Sequence, residues 1–129
     1  MWGFGKLFKV VYTARFARTL SSLYSSGMPL VSAVGVAAKT IGNGYVESQF
    51  DEVITMVRGG VPLSQGLREV DGLLKKLSST ILVGEESGRL DVMLDSIAET
   101  LESDAEQATK RMVTLLEPIL IIFMALIVG

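Results

Sequence analysis

Five carboxylates have the most suggestive spacing in this sequence. Asp91, Asp95, Glu99, Glu102 and Glu106 follow one another at steps of 4, 4, 3 and 4. On an α-helix those steps place side chains on one face. Such a face is read in three ways: as solvated surface, as a docking strip for a basic partner, or as a shallow divalent-cation site. Hard cations take carboxylate oxygens, but a regular helix face has no loop carbonyls to complete a cage, so a cation here is weakly held. Glu85 and Glu86 stand just upstream, in the stretch Gly84-Glu85-Glu86-Ser87-Gly88. Read as a tight turn, this stretch offers a partner contact, or negative charge near a helix start with Ser87 as its cap.

Other chemistry is scarce. The chain has no Cys and no His. That removes disulfides, thiolate and imidazole metal sites, Cys nucleophiles and the usual base for an activated serine. Serines are plentiful, but nothing fixes Lys39, Lys75 or Lys76 beside one of them. Gly42-Asn43-Gly44 and Gly59-Gly60 are too short for a phosphate loop, and no Gly-Lys-Ser/Thr follows either. The sequence therefore reads as a non-enzyme without a cofactor. A net charge of −2 gives no general attraction to nucleic acid.

The carboxylates need a helix to carry them, and the apolar pattern supplies one. Leu90, Leu94, Ile97, Leu101, Ala105, Ala108, Met112, Leu115, Ile119, Ile122 and Leu126 recur at steps of 3 and 4. The spacing predicts one long helix from about residue 89 to the last residues, with Pro118 inside it. Upstream, Gly and Pro divide the chain into five shorter helices over about 9–25, 29–41, 45–58, 63–70 and 73–84. Gly27 suits a left-handed helix end, Pro29 the first turn of the next helix, and Asn43 a cap. The expected fold is all-α: an antiparallel six-helix bundle whose last helix is long and continues into a transmembrane segment.

The end of that helix differs from the rest. Residues 119–128 are ten consecutive apolar residues. This is about half of the roughly 20 that cross a bilayer. The expected division is therefore 1–111 as a cytoplasmic bundle and 112–129 as the truncated start of a membrane helix. Lys110 and Arg111 precede the apolar run, and basic flanks favour the cytoplasmic side. The first 18 residues carry Lys6, Lys9, Arg15 and Arg18 with no acidic residue, interleaved with Trp2, Phe4 and Phe8. This composition suits an anionic membrane surface. Glu117, beside Pro118, is an ionisable group at the start of the apolar run; it is either paired and functional or reaches back to headgroups and water. Two other classes fit the composition: a tail-anchored helical adaptor, and a soluble binding module whose tail is a buried helix.

Five stretches resemble the type II secretion F family, the inner-membrane platform proteins of type II secretion and type IV pilus machines (GspF/PilC-like). Arg15, Phe16, Arg18 and Leu20 resemble its opening helix, and Gly27-Met28-Pro29-Leu30 its first turn. Gly59-Gly60-Val61-Pro62-Leu63-Ser64 resembles its G-x-x-L-S turn. Gly84-Glu85-Glu86-Ser87-Gly88-Arg89-Leu90 resembles its G-E-x-S-G-x-L signature, and Glu117-Pro118 its Glu-Pro step. Leu73-Leu74 departs from the family, which tends to have Phe-Pro there. Whole members carry a pair of such repeats, and the Glu-Pro form points to the second. The resemblance implies a bacterial or archaeal inner-membrane protein, forming homo-oligomers, with this domain in the cytoplasm. Its implied partners are a cytoplasmic hexameric assembly ATPase, pilin or pseudopilin subunits and other platform proteins. Its implied role is to couple that ATPase to polymerisation of the subunits, without binding nucleotide or nucleic acid.

Overall fold

The computed structural model describes the backbone of residues 2–129 and the side chains of residues 8–129. The described residues are helical, without a strand. The segments are α1 (Trp2–Ser25), α2 (Leu30–Ala38), α3 (Gly44–Ser48), α4 (Phe50–Arg58), α5 (Leu63–Arg68), α6 (Lys75–Ser87) and α7 (Leu90–Val128). Gln49 between α3 and α4 keeps helical angles, φ −72° and ψ −18°. These two segments are thus one helix interrupted at Gln49, and among the described residues the bundle has the six helices that the pattern predicts. The Gln49 side chain donates to the Asp71 carbonyl at 2.8 Å and accepts from the Asp71 N–H at 2.8 Å, tying α3 to a distant turn.

Two of the connections are built the same way. Gly27 and Gly60 stand at φ +98° and +96°. In each, the glycine N–H and the next N–H turn back onto the helix just ended, Gly27 to Tyr24 and Met28 to Leu23, Gly60 to Val57 and Val61 to Met56. This left-handed closure satisfies carbonyls that the helix end leaves free. A proline follows in both. Pro29 (φ −55°, ψ 143°) and Pro62 (φ −58°, ψ 142°) are the residues just before α2 and α5 rather than their first helical residues. The sequence reading placed Pro29 one position too far in, because a proline φ suits both places and only ψ separates them. Leu74 holds the same post before α6, with φ −69° and ψ 136°. Leu74 thus takes proline-like angles without being a proline.

The core runs through all segments. Phe16 and Phe50 meet at its centre, rings 4.9 Å apart and tilted by 45°, and both are buried. Leu20, Ala33, Val34, Ile41, Leu63, Leu77, Ile81, Leu94 and Leu101 join them. Asn43 caps α3 as expected, accepting from the N–H groups of Tyr45 (3.0 Å) and Val46 (3.2 Å). Tyr12 donates its hydroxyl to the Gly72 carbonyl at 2.6 Å. Burial, and then the nearby Asp71 charge, push its phenol pKa above the ordinary value. The folded state thus holds that proton more tightly than the unfolded chain. The associated stability is whole below the ordinary tyrosine range and is lost as pH climbs through the raised value.

α1 and α7 form the largest contact between elements. They run antiparallel, because α1's Arg18 reaches Asp95 and Glu102 while Val11 and Ala14 line a groove with Glu102 and Ala105. α7 then leaves the bundle. Its inward positions Leu101, Ala105, Ala108 and Met112 mark the last turns that have a neighbour, and every residue from Val113 onward is exposed. At about 1.5 Å per residue the 39-residue helix is about 58 Å long. It holds an 18-residue window that is long and apolar enough to cross a membrane. The contact of Trp2, Phe4 and Lys6 with a membrane surface, expected from composition, concerns side chains outside the described residues.

Glycine substitutions separate the two reasons for glycine in this fold. Gly27 has a positive φ with nothing within 4 Å of an added Cβ. Gly72, at φ +107°, would place a Cβ 2.8 Å from the Val46 Cγ2 and 3.1 Å from the Tyr12 hydroxyl. Gly27→Ala is expected to cost about 1 kcal/mol from backbone strain alone. Gly72→Ala adds overpacking and is expected to cost about 2–4 kcal/mol. Chemical denaturation in detergent, followed by circular dichroism, checks the order.

Candidate functional site: an acidic face held by a hydrogen-bonded clamp

The predicted acidic face exists, and its five members are not equivalent. Arg18 enters from α1 and bridges two of them. Its Nε and Nη2 donate to one oxygen of Glu102 at 3.0 and 2.7 Å, and its Nη1 donates to Asp95 at 3.1 Å. The Glu102 hydrogen bond is the main cause holding the guanidinium pKa above its ordinary value; burial opposes it, and the Asp95 hydrogen bond adds to it. All three groups are more than a third exposed, so the bridge orients the two helices more than it stabilises them. Glu106 faces Lys110 at 3.5 Å one turn further along. Asp91 and Glu99 are exposed and have no ion pair among the described residues.

Charge also ties α7 to α6. Lys76 donates to Asp104 at 2.9 Å. Lys76 is exposed but ion-paired. Among the described residues no three acidic side chains converge to hold a metal ion. Helical rise spreads the five along the axis, and the Arg18 guanidinium occupies the space between two of them.

Glu85 and Glu86 do not lie in a turn. α6 continues through both to Ser87, so they form its last turn, a poor end for negative charge. Glu85 has an outlet. Its carboxylate accepts from the Ser64 hydroxyl and from the Ser64 N–H (3.3 Å), at the start of α5. Pro62, the residue before α5, has no capping side chain, so Glu85 of another helix supplies the cap. Ser64 is buried, and Glu85 is its partner. Glu86 stays exposed.

Each member of the Gly84–Leu90 stretch now has a physical reason. An added Cβ on Gly84 would sit 3.0 Å from the Leu90 Cα and 3.0 Å from the Met93 Cβ, so α6 and α7 approach closely only over glycine. Ser87 returns its hydroxyl to the Val83 carbonyl at 2.7 Å and does not cap α7; Arg89 stands in that place, without a capping side chain. Gly88 closes α6 in the left-handed conformation, φ 70°. Leu90 is half-buried against the core as α7 begins. The sequence reading singled out Ser64 and Glu85 separately, but not as partners 21 residues apart.

Of the remaining motif residues, Phe16, Leu20 and Leu63 are buried in the core, and Arg15 is exposed. Gly27, Pro29 and Gly60 make the turns described above. Glu117 is exposed on α7 next to Pro118, which the helix carries without ending.

Comparison with known proteins places this arrangement among relatives. The sequence profile of the family described as Type II secretion system (T2SS), protein F matches residues 16–129. The chain is similar to the Type IV pilus assembly protein PilC of Thermus thermophilus, 35% identical over 127 residues, covering 98% of this chain and 31% of that protein. It is similar to the Type II secretion system protein F of Pseudomonas aeruginosa, 37% identical over 124 residues, 96% of this chain and 31% of that protein. The Type IV pilus assembly protein PilC of Myxococcus xanthus is 34% identical over 126 residues, 98% of this chain and 30% of that protein. The chain thus spans about a third of the length of the curated relatives it matches.

A double-mutant cycle tests the clamp. Ser64→Ala and Glu85→Ala are each expected to cost about 2 kcal/mol, because each strands a polar partner. Together they should cost at least about 1 kcal/mol less than the sum. Additive losses in denaturant unfolding would mean that the two residues act independently.

Proposed function

Because the chain belongs to the type II secretion system protein F family, we propose that it is a cytoplasmic repeat of an inner-membrane platform protein in a type IV pilus or type II secretion machine. In this reading residues 1–111 form the cytoplasmic bundle and 112–129 begin a spanning helix. The protein couples a cytoplasmic assembly ATPase to polymerisation of pilin or pseudopilin subunits. It contributes no bond chemistry of its own. Its work is to carry a displacement from a docked motor to the subunits in the membrane.

The observation that carries this reading is the continuity of α7. Leu94, Ile97, Ala98 and Leu101 fix its first half in the bundle core, and the same helix runs on through the apolar window. A continuous helix transmits a push or a rotation that a loop would absorb. From Asp91 to Met112 it rises about 32 Å. The Gly27 and Gly88 turns, with Glu86 and Asp91, therefore lie at the end of the bundle far from the apolar segment, the end that a cytoplasmic motor would meet. On the acidic face of α7 the carboxylates open to such a partner are Asp91 and Glu99, because Asp95 and Glu102 are engaged by Arg18 and Glu106 faces Lys110.

Two experiments address this reading. Asp91→Lys with Glu99→Lys, in the full-length protein, should reduce co-purification of the machine's assembly ATPase at least about tenfold while leaving the bundle's thermal unfolding unchanged; undiminished co-purification would move the motor contact elsewhere. A Gly-Gly-Gly-Gly insertion after Thr109 should abolish pilus or pseudopilus assembly while ATPase binding persists. Assembly at the normal rate would mean that α7 does not carry the displacement.

A further inference from the structure

We infer that the membrane-proximal end of the bundle is a seat for anionic lipid headgroups, made jointly by the start of α1 and the exit of α7. The inference rests on α7 entering a membrane after Met112. The two helices are antiparallel, with Arg18 set against the middle of the Asp95–Glu102 turns. Moving about ten residues back along α1 therefore corresponds to about ten residues forward along α7. Phe8 and Lys9 arrive at about the level of Ala108, within one turn of Lys110 and Arg111. α7 loses its last neighbour at Met112, so the start of α1 ends where the apolar segment begins.

The side chains gathered at this level suit an interface. Phe8 is 60% exposed, a large apolar surface with no role in the core. Lys9 is half-buried, with an aliphatic stem along the bundle and a charged end that can extend outward. Lys110 and Arg111 are exposed on the outward sides of α7. Among the described residues the one carboxylate paired to this group is Glu106, 3.5 Å from Lys110 and well exposed, a contact too weak to neutralise the positive charge. The sequence adds Lys6 to the same helix and no acidic residue before Glu47. An exposed aromatic ring and several basic side chains at one height along the bundle, where headgroups lie, are the composition that recruits anionic phospholipid. A basic cluster one turn above an apolar helix would otherwise face zwitterionic headgroups with its charge unused.

Trp2 is the sole tryptophan, and α1 begins at it, which provides a built-in reporter. The chain is placed in nanodiscs containing the same mole fraction of brominated phosphatidylglycerol or of brominated phosphatidylcholine, and the quenching of Trp2 emission is compared. Enrichment of anionic lipid at the seat predicts quenching at least about twofold greater with the brominated anionic lipid. Lys9→Gln, Lys110→Gln and Arg111→Gln together should bring the ratio to about one while α-helical circular dichroism is kept. Equal quenching in the unaltered chain, or an anionic preference that survives the triple substitution, would overturn the seat. Absence of quenching by either lipid would overturn both the seat and the membrane insertion of α7 on which it rests.

Discussion

The packing of α1 along α7 is the constraint on which the rest of the molecule depends. α1 contributes Ala14, Phe16, Ala17 and Leu20 to the core, and α7 contributes Leu94, Ile97, Ala98 and Leu101. The small residues let two long helices come close. The short segments between them then fill the remaining sides: α2 against α1, α6 against α7, with α4 and α5 linking the two groups. The Arg18 bridge and the Lys76–Asp104 pair fix α7 from two directions. A helix so held cannot slide or roll within the bundle without breaking apolar contacts and ion pairs together.

The clamp between Ser64 and Glu85 shows how two separate stretches of sequence can make one folding device. The G-x-x-L-S and G-E-x-S-G-x-L stretches look like separate turns in the sequence. In three dimensions one supplies an uncapped helix start and the other the carboxylate that caps it. This places a carboxylate that would be unfavourable at the end of α6 beside N–H donors at the start of α5. Glu85 is therefore spent inside the bundle, whereas Glu86 beside it is free to face outward. Adjacent glutamates with the same charge have different tasks because of what their helix packs against.

Much of this was legible from the residues. The long periodic helix, the all-α architecture, the glycine turns and the Asn43 cap follow from local rules, since spacing and backbone preference act within one or two turns. Three features were not legible. The interruption at Gln49 coincides with hydrogen bonds to a turn 22 residues away. The extension of α6 past Gly84 runs against the expectation that glycine ends a helix; here its lack of a side chain serves the contact with α7 instead. The division of the acidic face into engaged and open carboxylates depends on where α1 delivers Arg18. In each case the deciding partner lies far along the chain, and residue spacing carries no record of it.

The unbroken course of α7 has a geometric consequence. An α-helix advances about 1.5 Å and turns about 100° with each residue, so a residue's number sets both its height and its azimuth. Asp95 and Glu117 are separated by about six turns and point to nearly the same side. The helix therefore works as a ruler and a compass at once. One added residue between bundle and membrane would rotate the acidic face by more than a quarter turn against everything fixed in the bilayer. A whole heptad would restore the bearing to within about 20° but lift the bundle by about 10 Å. Neither quantity can be adjusted alone, so the linking stretch between Ala105 and Met112 is constrained in length even where its individual side chains touch nothing.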